Sequence, residues 1–165
     1  MFPDGVEISS IISDTVKIVF KRRLVDRVLR LWTEMAGEQR FPRCDQIEIS
    51  MLGVDWTNCL VVAVQSPVEL SYVVAVGENL SFGHSADESL AGVLLSHLPQ
   101  ALAERRCLMI EGSARLRDIG ILYRGGLYPL SDDGIAIDHV LGAANYRPLR
   151  EHEDLGAPFV RTKWL

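Results

Sequence analysis

Several stretches of this chain set chemically active residues close together. Gly83-His84-Ser85-Ala86-Asp87 has part of the pattern of a nucleophile elbow, in which a serine sits on a sharp strand-to-helix turn between two glycines. The second glycine of G-x-S-x-G is missing and no strand leads directly into the segment, so acyl transfer has no support here. His84, Asp87 and Glu88 have the helical spacing at which three side chains can approach a metal. No second ligand cluster stands out elsewhere, and a solvated polar connector accounts for them. Asp138 and His139 are neighbours in a stretch that reads as a strand, where successive side chains point to opposite faces. They are therefore not expected to act as a pair, and His139, between Ile137 and Leu141, reads as a hydrogen-bonded core residue. Cys44, Cys59 and Cys107 are widely spaced and form no C-x-x-C pair, which argues against a zinc site or a dithiol redox centre and for buried free thiols. G-x-G-x-x-G and G-x4-G-K-[ST] are both absent, so a nucleotide enzyme lacks support. Gly125-Gly126 is expected to mark a bulge or the close approach of a helix. No catalytic residue and no metal ligand set emerges, and the sequence specifies no cofactor.

The elements that must carry these residues are those of one domain. The chain has 165 residues, 48% of them hydrophobic and 24% charged, which is enough to bury a core without staples. The net charge of −5 disfavours a general nucleic-acid binder, which needs basic surface to displace counterions. No apolar run is long enough for a membrane span, and the first ten residues lack the pattern of a signal peptide. The expected location is the cytoplasm.

Ile119 to Ala144 reads as a hairpin. Strands over 119–130 and 135–144 flank a tight turn at Ser131-Asp132-Asp133-Gly134, with Gly134 free to take positive φ. On the second strand Ile135, Ile137, His139, Leu141 and Ala143 would share one face. Upstream, Val16, Phe20, Leu24, Val28, Leu31 and Met35 form a helical stripe, predicting one helix over about 14–36, or two with a break near Lys21-Arg22-Arg23, ended by Gly37. Lys17, Lys21, Arg22, Arg23, Arg27 and Arg30 give it a basic flank, read as a solvated face. The stripe is longer than a small sheet can cover, which suggests a homodimer through Val16, Phe20, Leu24 and Val28. Residues 40–53 read as irregular with a short helical turn. Residues 56–65 and 70–76 form a second hairpin, a helical stretch over 93–106 carries Pro99 as a breaker, and a strand covers 108–116 with Gly112 as a bulge candidate. The fold class is α+β, an antiparallel five-stranded sheet with helices gathered on one face. Residues 1–22 form an N-terminal extension, 23–148 the domain, and 149–165 a tail.

Four stretches carry a resemblance to a known group. They are LVDRVLRLWTEMAG followed by Arg40, Pro42, Arg43 and Asp45; SYVVAVG; FGHSADESLAG; and PLSDDG-x2-ID followed by Tyr146-Arg147-Pro148. Together they span about residues 24–148, and the chain resembles a group of small bacterial proteins related to PAS sensor domains. The departure lies at Gln46-Ile47-Glu48-Ile49-Ser50, where the group often has a proline-containing turn. The element order agrees: a helix, two strands, helices, then three strands in meander.

The resemblance implies a sensory or regulatory module rather than an enzyme, acting through a small molecule, a partner signalling protein or both. It supplies no catalytic residues and implies no output domain. The flavin-type asparagine-cysteine-arginine box is absent, and His97 alone sits where a haem ligand would, which makes haem a poor fit. A pocket between sheet and helices would be lined by Cys59, Tyr72, Val74, Leu95, Leu98, Tyr123 and His139, the same residues that would otherwise fill the core. Two other function classes stand beside the sensor: a protein-interaction adaptor with a filled core, and a small α+β enzyme.

Overall fold

The computed structural model describes residues 23–81, 89–116, 118–153 and 158–165. Six strands build one antiparallel sheet: β1 (Cys59–Ala63), β2 (Tyr72–Val76), β3 (Leu108–Leu116), β4 (Ile119–Leu130), β5 (His139–Pro148) and β6 (Val160–Trp164). Their order across the sheet is β2-β1-β5-β4-β3-β6. The five-stranded expectation is thus one strand short. The tail returns as β6 and pairs with β3 from Leu108↔Trp164 to Gly112↔Val160. Val160, Thr162 and Trp164 give that segment the β-branched and aromatic alternation of a strand, a signal too short to separate from an anchored tail by sequence.

Among the described residues five α-helices accompany the sheet: α1 (Leu24–Ala36), α2 (Ile49–Leu52), α3 (Glu78–Ser81), α4 (Leu90–Ser96) and α5 (Leu98–Glu104). They do not gather on one face. The side of the sheet carrying Leu60, Val62, Leu108, Ile110, Leu127 and Val140 packs against Leu80 of α3, Leu90 and Leu94 of α4, and Leu98 and Ala101 of α5. The opposite side carries Cys59, Tyr128, Leu130, Leu141 and Ala143, which pack against Leu24, Val25 and Val28 of α1 and Leu52 of α2. The reason lies in the central strands. In β1, β4 and β5 apolar residues alternate onto both faces, and a sheet that is apolar on both sides must be covered on both.

α1 starts at Leu24 after an extended Arg23 (ψ 148°), at the break the sequence allows near Lys21-Arg22-Arg23 and not as part of one unbroken helix over 14–36. Residues 14–22, with Val16 and Phe20, lie outside the described residues. Leu24 and Val28 are 2% and 1% exposed, spent on the protomer's own core, which leaves neither available as a dimer contact. The helix ends at Gly37, whose φ of +58° suits glycine and whose N–H donates to the Thr33 carbonyl. Three polar links seat it: Tyr128 Oη donates to the Val25 carbonyl at 2.8 Å, Trp32 Nε1 to the Pro129 carbonyl at 2.7 Å, and Arg27 grips Asp55 through Nε and Nη2 at 2.9 and 2.8 Å. Arg27 therefore belongs to the docking surface rather than to a solvated flank.

The connection between β4 and β5 departs most from expectation. It is a wide loop over 131–138, not a tight turn, and β5 begins at His139. The Asp133 carboxylate accepts from the Ile135 and Ala136 amides at 2.8 and 2.9 Å, and from Ser131 Oγ at 3.1 Å. Those bonds draw the backbone into a compact loop, leave Ile135 exposed, and give Gly134 the positive φ its place requires (+77°). Pro99 sits in the first turn of α5 and splits the helical stretch at His97. Gly112 is not a bulge, since β3 pairs with β4 without a register shift. The irregularity falls instead between Val61 and Val62, where β1 meets β2. Gly125 does mark a close helix approach: a Cβ there would meet Leu94 at 2.7 Å.

Candidate functional site

Strand register brings together residues that sequence distance hides. Arg161 of β6 pairs with Glu111 of β3, Glu111 with Arg124 of β4, and Arg124 with Asn145 of β5. Residues paired across neighbouring strands project to the same face, so these four form one row across four strands. The row lies on the face covered by α1, and Arg23, immediately before that helix, reaches its rim. Beyond the helix, among the described residues, the face is open. A groove of about 550 Å³ runs there, lined by Arg23, Glu111, Leu122, Arg124, Asn145, Arg147 and Arg161, with Gly112, Tyr123, Tyr146 and Phe159 completing it.

The groove is electrostatically one-sided. Arg124 donates to Glu111 Oε2 from Nη2 at 2.8 Å and from Nε at 3.2 Å, while Arg161 Nε lies 3.7 Å from Glu111 Oε1. The Arg124 guanidinium holds the Glu111 carboxyl below the usual carboxylate range, with Arg161 and Arg23 adding to the effect. Arg147 donates from Nη1 and Nη2 to the two oxygens of Glu153 at 2.7 and 2.9 Å. That fork, with the Arg150 amide, brings Glu153 down to about 2. Four guanidiniums thus face two carboxylates. Such an arrangement offers charge and paired N–H donors to a bound group.

The seven residues expected to line an internal pocket are not brought together. Leu98 and Tyr123 are buried in the core on the α4–α5 side, and Leu95 packs at its margin. Cys59 is buried on the opposite face, among the residues under α1. Tyr72 and Val74 stand on the edge strand β2, 58% and 56% exposed. Tyr123 alone also borders the groove. His97 lies between α4 and α5, and His84, Ser85, Asp87 and Glu88 lie outside the described residues.

Asp138 and His139 do meet, contrary to the alternation argument: His139 Nδ1 is 2.8 Å from Asp138 Oδ1. Asp138 is the last residue of the loop, not a strand residue, so alternation does not govern it. Asp132 joins them, with ligand atoms of the three within 4.8 Å of one another. The Asp138 carboxylate is already used within the loop, since its Oδ2 accepts from the Asp132 amide at 2.7 Å. Nearby, the Ser131 amide donates to the Pro42 carbonyl and the Cys44 amide to Asp132 Oδ1. The arginine-proline stretch and the PLSDDG stretch are therefore one structural junction, beside a smaller groove of about 310 Å³ lined by Arg40, Arg43 and residues 131–134.

Comparison with protein-family models, curated proteins and solved structures finds no match.

Sequence reasoning missed the arginine row. Arg124 and Arg161 stand in no motif, Arg147 stands out only as part of Tyr146-Arg147-Pro148, and only the register of four strands joins the three. Period-2 alternation places Arg124 and Tyr123 on opposite faces, but it cannot say which distant residue lies opposite Arg124.

Proposed function

We propose that this protein is a PAS-like regulatory module that binds a small molecule on the open part of its sheet and passes occupancy to a partner protein through α1. The observation that carries the reading is the place of the groove. Arg23 is both part of its wall and the residue from which α1 starts. A ligand there touches the sheet and the residue that leads into the helix, so it biases how the helix sits. Two further features support the reading. The element order (a helix, a hairpin, helices, then three meandering strands) is the order the resemblance implies, with β6 added. The volume falls in the range of small-molecule sites. The test is NMR mapping of a chemically diverse fragment library on the labelled full chain. Fragments should shift amides of residues 111, 124, 145 and 147 together with those of residues 24–27. A library that leaves the groove amides unmoved would contradict the reading.

One feature favours the adaptor reading as a second. β2 is an edge strand with no charged residue, and Leu70, Tyr72, Val74 and Val76 beside and along it are exposed. The other edge, β6, carries Arg161 and Lys163, the kind of charge that blunts edge pairing. An unguarded edge accepts a strand from a partner. If partners bind there, Val74→Lys should abolish their capture and leave fragment binding in the groove intact.

A further inference from the structure

A group entering the groove meets guanidiniums from three strands and from the residue before α1: Arg124 on β4, Arg147 on β5, Arg161 on β6 and Arg23. Glu111 and Glu153 balance only part of that charge. The excess stands in a chain whose net charge is −5, so it is a local concentration and not a general basicity. The two carboxylates also order the site. Glu111 holds Arg124 through Nε and Nη2, and Glu153 holds both terminal nitrogens of Arg147, which fixes guanidiniums on adjacent strands before anything binds. Of the three strand arginines Arg161 is held least. It is 72% exposed, sits 3.7 Å from Glu111 and lies over the Phe159 ring, so its donors can turn to a new partner at small cost. Arg23, at the N-cap of α1, adds the same sign at the rim.

We infer that the groove's ligand is a small dianion, a dicarboxylate or a phosphorylated small molecule, held chiefly by Arg124, Arg161 and Arg147. This rests on reading the groove as the ligand site. Planar guanidinium forks match carboxylate and phosphate oxygens in pairs, and two anionic groups satisfy the site where one would leave charge unmatched. A polyanion fits less well. The negative surroundings of an acidic chain repel an extended phosphate backbone.

The test is calorimetric titration of the full chain with succinate, inorganic phosphate and uncharged succinamide at fixed ionic strength. Saturable binding of succinate or phosphate is expected, with no heat from succinamide, and the preferred anion separates the two sources. The Arg124→Gln/Arg161→Gln variant should bind at least tenfold more weakly while keeping its far-UV circular dichroism and a single melting transition. Because losing Arg124 strands Glu111, Arg147→Gln serves as a second variant at a more exposed site and should weaken binding several-fold. Absence of saturable anion binding at millimolar concentration, unchanged affinity in both variants, or tighter binding of a single-stranded oligonucleotide than of either small anion would each overturn the inference. Uncharged fragments that shift the groove amides while both anions fail would overturn it too, yet leave the ligand-site reading standing.

Discussion

Glu111 is the residue on which the groove's order turns, and its pH behaviour follows from its neighbours. Arg124 holds its carboxyl below the usual range in the folded chain. A group whose folded value is depressed stabilises fully above its unfolded value, about 4.3 for a glutamate, and loses that stabilisation as pH falls through the folded value. Glu111→Gln should therefore cost up to about 1 kcal/mol at pH 7, the scale of a partly exposed ion pair, and the difference from wild type should shrink toward zero below the ordinary carboxylate range. Urea unfolding at a series of pH values measures this; a difference that grows with acid would contradict it. The cysteines give a second outcome. Burial pushes the Cys59 and Cys107 thiols up to about 12, so both stay protonated in the native state at pH 8. Iodoacetamide should label Cys44 first, and Cys59 and Cys107 only after denaturant is added, as peptide mass mapping would show. That these are buried or half-buried free thiols was legible in their spacing. The Asp138–His139 contact was not, because it needs the strand to begin at residue 139, and the carboxylate of Asp133 sets that boundary.

Among the elements, α1 is seated by few polar links over an apolar stripe, which suits a helix that moves. Tyr128 is the most telling of them. Its ring lies across Gly126, where a Cβ would come within 2.4 Å of the hydroxyl, and that hydroxyl reaches the Val25 carbonyl. Tyr128→Phe removes one buried hydrogen bond and little volume. It should cost about 1 kcal/mol by chemical denaturation, and raise hydrogen exchange in α1 without altering α4 or α5. Equal loosening of both faces would contradict that assignment. Element existence was largely readable: the bounds of β3 and β4, the stop at Gly37 and the split at Pro99 all follow from periodicity and breakers. What periodicity could not give was the face each helix covers. Leu24 and Val28 form the same stripe whether they meet a second copy or the protein's own sheet, and only the apolar reverse face of β1, β4 and β5 decides it.

At the scale of the molecule, an open sheet apolar on both faces is covered by helices on each side, and among the described residues the ground beyond the start of α1 stays open. That ground carries the arginine row, and its assembly from β3, β4, β5 and β6 explains why no local motif announced it. Among the described residues, no helix is long and apolar enough to cross a membrane. The central claim is that the groove reports to α1. The most direct measurement is hydrogen exchange of the full chain, free and saturated with a fragment that NMR mapping places in the groove. The account predicts that amides of residues 24–28 slow by about tenfold or more on saturation, the range of coupling between linked sites, while those of α4 and α5 stay unchanged. A groove that fills with no change at the start of α1 would contradict it.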